Sequence, residues 1–134
     1  MVKLRMRYQW IFLLALLLVL GCYSKKNKTE ERARERITQF ITLMVEDRVE
    51  AAEELLATKM IYSGNKELFL SSFDNWQLKD TADVVIDIKQ IYIPEDDPLN
   101  RAMVSMTVRS EKNNFTKMVN MPITYEKGDW YIGA

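Results

Sequence analysis

From residue 83 to residue 132 apolar side chains recur at every second position, and this two-residue period constrains the chain more than any other feature. Residues 83–93 read as a strand. Its even face carries Val84, Ile86, Ile88, Gln90 and Tyr92, and its odd face Val85, Asp87, Lys89, Ile91 and Ile93. Residues 101–110 form a second strand with Ala102, Val104, Met106 and Val108 together. Residues 115–125 form a third with Val119, Met121, Ile123 and Tyr125, and residues 130–132 begin a fourth after Lys127-Gly128. The loops between them test this pattern. A four-residue loop at 111–114 sets Ser110 opposite Phe115, Met106 opposite Val119, Val104 opposite Met121 and Ala102 opposite Ile123. A Lys127-Gly128 turn sets Tyr125 opposite Trp130 and Ile123 opposite Ile132. A seven-residue loop at 94–100 sets Ile88 opposite Met106 and Ile86 opposite Val108. All three registers gather the apolar residues on one face, and a one-residue slip would scatter them. The product is an antiparallel meander with one dry face. Pro122 has no N–H to give to the ladder, so a bulge is expected there.

Ahead of the strands the period is helical. Asn27-Lys28-Thr29-Glu30 fits a capping box, and Ile37, Phe40, Ile41, Met44 and Val45 then follow as one stripe. Glu30 and Arg34 are spaced to pair on the wet face. Arg32, Arg34 and Arg36, interleaved with Glu30, Glu31 and Glu35, read as part of that solvated face. Asp47-Arg48-Val49-Glu50 offers a second cap, and Val49, Ala52, Leu55, Leu56 and Met60 form the next stripe, so a helical hairpin is expected. Ser63-Gly64-Asn65 interrupts it, and residues 66–76 read as a short third helix. Helices first and strands last make the class α+β, with the helices covering the dry face of a four-stranded sheet.

The N-terminus follows a different rule. Residues 1–9 hold Lys3, Arg5 and Arg7 and no acid, residues 10–20 are an unbroken apolar run, and Gly21 and Cys22 come next. This is the build of a secretory signal peptide. The run is shorter than the roughly 20 residues that span a bilayer as a helix. Val19-Leu20-Gly21-Cys22 resembles the lipobox of bacterial lipoproteins, and Cys22 is the chain's only cysteine. The resemblance implies a diacylglyceryl group on the Cys22 sulfur, cleavage before Cys22, and a further fatty acyl group, such as palmitate, on the new amino terminus. Two or three acyl chains anchor a protein stably where one does not. The expected layout is a signal peptide over 1–21, a lipidated tether over 22–28 and one α+β domain over 29–134. In a two-membrane cell the resemblance places the protein on the periplasmic face of the outer membrane, since Tyr23, rather than the Asp of inner-membrane retention, follows the cysteine. Cleavage removes three of the 19 basic residues and none of the 19 acidic ones, leaving a net acidic chain. That excludes the concentrated basic surface of a nucleic-acid binder. Lys25, Lys26 and Lys28 make the tether a solvated linker with an accessory attraction to anionic headgroups.

The stretch ERITQFITLMVEDRVEAAEELL, followed by a meander ending in YEKGDWYI, is similar to the nuclear-transport-factor-2-like superfamily, nearest to its small export-anchored lipoproteins. The resemblance spans roughly residues 29–134. It implies a cone of curved sheet and helices that binds a small molecule, hosts an enzyme site or binds proteins.

The chain has no histidine, and one cysteine excludes an internal disulfide and any multi-cysteine metal site. Met103 with Met106 and Met118 with Met121 have thioether spacing, but i and i+3 on a strand point to opposite faces, so core filling is the reading. Glu95, Asp96 and Asp97 lack the alternation and glycine of a calcium loop and read as a solvated turn. Asp87 shares its face with Lys89 and reads as exposed. Gln90 is a polar residue on an otherwise apolar face. It either satisfies buried backbone or lines a pocket with Tyr92, Tyr125 and Trp130. No acid joins those tyrosines, so no catalytic residue, metal or cofactor is assigned. The expected function is a lipid-anchored, non-catalytic binding or protein-interaction module, attached to the membrane through acylated Cys22. The alternatives are a carrier of a small apolar ligand in the cone and, last, a small hydrolase or isomerase.

Overall fold

Thr29, two residues after the expected cap Asn27, begins the first helix: its hydroxyl accepts the backbone N–H of Arg32 at 3.2 Å, while the Asn27 side chain donates to the Gly128 carbonyl. The computed structural model describes residues 26–134, so the apolar run, the lipobox and Cys22 lie outside the described residues. The helices are α1 (Glu30–Val45), α2 (Val49–Glu53), α3 (Thr58–Tyr62) and α4 (Lys66–Ser71), followed by a 3₁₀ turn over Asp74–Trp76. The strands are β1 (Val85–Tyr92), β2 (Arg101–Ser110), β3 (Phe115–Glu126) and β4 (Asp129–Ile132). They form one antiparallel sheet in the order β1-β2-β3-β4, so the class is α+β with a meander.

The registers inferred from the loops hold at Ser110–Phe115, Met106–Val119, Val104–Met121, Ala102–Ile123, Tyr125–Trp130, Ile123–Ile132, Ile88–Met106 and Ile86–Val108. The β3–β4 turn explains itself: Lys127 and Gly128 take φ of 51° and 75°, the two positive values of a type I′ hairpin.

The bulge lies elsewhere than expected. β3 pairs with β2 without interruption through Met103–Pro122. Pro122 turns its carbonyl, and so its missing N–H, towards β4, where its oxygen accepts Gly133 N–H at 2.8 Å. The Gly133 carbonyl, which an N–H at position 122 would have reached, instead accepts the Thr124 hydroxyl at 2.7 Å. The register shift falls in β1, between Ile88 and Gln90, with Lys89 as the extra residue. Beyond it the faces exchange. Ile91 is buried opposite Val104, Gln90 is exposed opposite Ser105, and Tyr92 is 60% exposed opposite Met103. Gln90 and Tyr92 therefore lie on the outer face, correcting the inner-face assignment.

The second helix of the expected hairpin is also broken. After α2 the backbone extends so that Leu56 bridges Ile132 in parallel fashion. Ala57 N–H reaches the Ile132 carbonyl and Ile132 N–H the Leu55 carbonyl, both at 2.7 Å. Helical backbone could not make those bonds, so the stripe from Val49 to Met60 splits into α2 and α3. Likewise residues 66–76 divide into α4 and the 3₁₀ turn.

The core sits between the inner face and α1. Ala33, Ile37, Phe40 and Ile41 from the helix and Val104, Val108, Ile123, Trp130 and Ile132 from the sheet are fully buried. Phe40, Phe69, Phe73, Trp76 and Phe115 continue it as a chain of aromatic contacts at 4.6–6.0 Å. Arg36 departs from the solvated-face reading. It is 9% exposed, because it falls three residues after Ala33 and four before Phe40, within the buried stripe.

Candidate functional site

Three places could carry function: the inner face, the charged cluster where α1 meets β4, and a groove at the far end of α1.

The inner face is filled from Ile88 and Ile91 across to Ile132, and opens beside Val84 and Ile86, where β1 meets the end of α1. Trp130 is fully buried, donates its indole N–H to the Thr29 carbonyl at 3.2 Å and meets Tyr125 edge-to-face at 5.2 Å. Burial pushes the Tyr125 hydroxyl pKa up. Of the four residues expected around a pocket, Tyr125 and Trp130 share the inner face, while Gln90 and Tyr92 lie on the other side of the sheet. The bulge at Lys89 separates them. The small cavity beside Ile41, Met44, Phe73 and Trp76 is about 20 Å³, room for about one water.

At the α1–β4 junction, Arg32 grips Asp129 with two nitrogens, Nε to Oδ1 at 2.9 Å and Nη2 to Oδ2 at 2.6 Å. Arg36 Nε stands 3.6 Å from the same carboxylate and donates to the Trp130 carbonyl at 2.8 Å. Its guanidinium lies 5.1 Å from the Tyr131 ring centre. Burial pushes the Asp129 carboxyl up, but the Arg32 and Trp130 N–H hydrogen bonds and the Arg36 charge outweigh it, holding Asp129 below the usual carboxylate range. The hydrogen bond to Asp129 raises Arg32 in turn. This cluster joins helix to strand, and both Asp129 oxygens are engaged within it. Its sequence signal was partial: Arg36 sits on the apolar stripe, but nothing local connects it to a carboxylate 93 positions away.

The groove lies between the last turn of α1 and the approach to β1. Thr42, Val45, Glu46, Asp80, Thr81, Ala82, Val84 and Ile86 line about 340 Å³, within the range of small-molecule and peptide side-chain sites. Its floor is held by Asp80 N–H to the Val45 carbonyl at 2.8 Å. Its far wall is fixed by Asp83, which accepts the Ser110 hydroxyl at 2.7 Å and Lys112 N–H at 2.9 Å. Those bonds hold Asp83 below its ordinary pKa, the Lys112 N–H contributing most.

The remaining sequence candidates separate cleanly. Met103 is 42% exposed and Met106 2%, Met118 85% and Met121 2%, so neither pair shares a face. Asp97 accepts Leu99 N–H, Arg101 N–H and Arg101 Nε, and the last of these holds its pKa down most. Asp87 lies outside, paired with Lys89, which lowers its pKa. Among the described residues no group of three or more His, Cys, Asp or Glu is placed to hold a metal ion. No helix among them is long and apolar enough to cross a membrane. Compared with known proteins, the chain matches no family model, no curated protein and no solved structure.

Proposed function

We propose that this protein is a lipid-anchored lipoprotein of the bacterial cell envelope, held by acylated Cys22, whose nuclear-transport-factor-2-like domain binds a partner and performs no chemistry. The observation that carries the binding reading is the filled inner face: the space where such a cone would hold substrate is occupied by Trp130, Val104, Met106, Met121 and Ile123. Recognition then falls to the surface, and the groove at the end of α1, where inner-face Val84 and Ile86 reach solvent beside Glu46 and Asp80, offers both apolar and polar lining. The shifted carboxylates Asp83, Asp87, Asp97 and Asp129 all move down, away from the range where a general acid works near neutral pH. The anchor rests on Val19-Leu20-Gly21-Cys22 closing the apolar run. A small apolar ligand is the second reading, favoured by the groove volume and by Val45, Val84 and Ile86 in its wall.

Two measurements test the proposal. Mass spectrometry of the N-terminal peptide from native membranes should show a chain beginning at acylated Cys22, and Cys22→Ala should abolish acylation. An unmodified Cys22 in the mature protein would remove the anchor. A photo-reactive residue at exposed Ala82, on the groove rim, should yield one discrete adduct in cells. The adduct's mass distinguishes protein from small ligand, and its absence would move recognition away from the groove.

A further inference from the structure

The end of the tether is bound to one end of the domain. Asn27 Nδ2 donates to the Gly128 carbonyl at 3.0 Å. Lys28 Nζ donates to Asn100 Oδ1 at 3.1 Å and lies 5.8 Å from the Tyr125 ring centre. Tyr125 N–H in turn donates to the Asn100 carbonyl at 2.7 Å, tying the 94–100 loop to β3. Two loops and the incoming chain thus form one end of the molecule. Leu99, next to Asn100, is 52% exposed there.

The chain outside the described residues sets the consequence. Asn27 is five positions after Cys22, so an acylated cysteine can stand no farther than about 18 Å from that end. The loop at 111–114 lies at the other end of β2, about 30 Å away along a ten-residue strand.

We propose that the docked tether sets the domain upright on the bilayer, with Leu99 and the Lys127-Gly128 turn against the phospholipid headgroup layer and the groove at the end of α1 turned away from it. The inference rests on lipidation at Cys22 and adds the orientation. In the loops Glu95 and Asp96 offset Lys28 and Lys127, so the loop contact is apolar more than electrostatic, with Lys25 and Lys26 of the tether adding only the accessory attraction. α1 starts beside the tether and runs about 24 Å, which carries the groove beyond the headgroups and into reach of a soluble partner.

The test uses the full acylated protein purified from native membranes and reconstituted in phosphatidylethanolamine–phosphatidylglycerol vesicles. Leu99→Cys or Lys112→Cys is labelled with an environment-sensitive fluorophore, Cys22 being blocked by its lipid. Headgroup-quencher lipids should quench the label at 99 several-fold more than that at 112, in low and high salt alike. Asn27→Ala with Lys28→Ala should bring the two signals together. Equal quenching in the wild-type background, or a contrast that survives the double substitution, overturns the docked orientation. A contrast that vanishes in high salt overturns the apolar contact. Flotation is read in parallel: a protein that floats with the vesicles and shows no contrast refutes only the orientation, whereas one that does not float refutes the anchor and the orientation with it.

Discussion

On β4, the outward backbone groups of Trp130 and Ile132 are all engaged: Trp130 N–H by the neighbouring Asp129 carboxylate, Trp130 C=O by the distant Arg36 guanidinium, Ile132 N–H and C=O by the extended segment at Leu55 and Ala57. On β1, the opposite edge, no such segment lies alongside among the described residues. A bulge kinks that strand, Lys89 and Asp87 place charges on it, and Arg34 Nη1 reaches the Ile88 carbonyl at 3.4 Å. Unpaired strand edges invite association with other chains. The first edge is closed by long-range bonds that also hold helix to sheet, so its chemistry carries stability. The second is merely made unattractive, and its chemistry carries solubility. Damage to the two should therefore register in different measurements.

The largest effect is expected at Asp129→Ala. It leaves Arg36, buried in the stripe of α1, without its counter-charge. Breaking such a pair by removing one partner costs about 3 kcal/mol, read as a lower urea midpoint with little change in slope. A loss below about 1 kcal/mol would show that water replaces the carboxylate and that the β4 edge is no more essential than the other.

Acid should weaken the same edge. The Asp129 pKa is lowered on folding, so its stabilisation is complete above the unfolded value of about 3.9 and is lost as pH falls through the folded pKa. Urea midpoints should stay level from neutral pH to about pH 5 and drop below about pH 4. In Asp129→Ala the drop should shrink, leaving a residue from Asp83 and Asp97. An unchanged acid limb would assign it to other carboxylates.

Deleting Lys89 examines the other edge. Because Lys89 is the inserted residue, its loss leaves Ile88 opposite Met106, Gln90 opposite Ser105 and Ile91 opposite Val104, a regular strand with the same faces. Stability should change by less than about 1 kcal/mol, but the straightened, less charged edge should self-associate, seen as a concentration-dependent mass in light scattering. A monomer at all concentrations would show that the bulge has no protective role. Deleting Ile91 instead should unfold the domain, since Tyr92 would then turn inward.

The smallest effect belongs to Gln90→Leu. On the outer face it should shift stability by no more than about 0.5 kcal/mol. A larger loss would return Gln90 to the interior and undo the register argument.

These four residues also mark how far the sequence could be read. Period and loop length sufficed for the strands and for eight pairings, because each is a local count. The bulge had a signal that a strict alternation hides. Ile86 and Ile88 are in one phase and Ile91 and Ile93 in the other, and a single inserted residue brings all four to the same side and expels Gln90. Arg36 had a helical-wheel signal, while Asp129, its partner, had none. The split between α2 and α3 was not legible, since it depends on a bridge from Leu56 to Ile132, 76 positions later. The groove was illegible for the same reason: it is made where the end of α1 meets the approach to β1, two segments that no pattern in the sequence connects.

The late position of β4 bears on how such a chain is made. Arg32 waits 97 residues for Asp129, and Trp130 and Ile132, two of the most deeply buried side chains, are translated well after the helix they pack on. Until they emerge, α1 has neither its ionic clamp nor the strand it packs on, and contacts of such long sequence separation form slowly. A nascent chain of this design stays open until β4 has been made. A fold that closes only once β4 has been made is a timer set by the order of its residues.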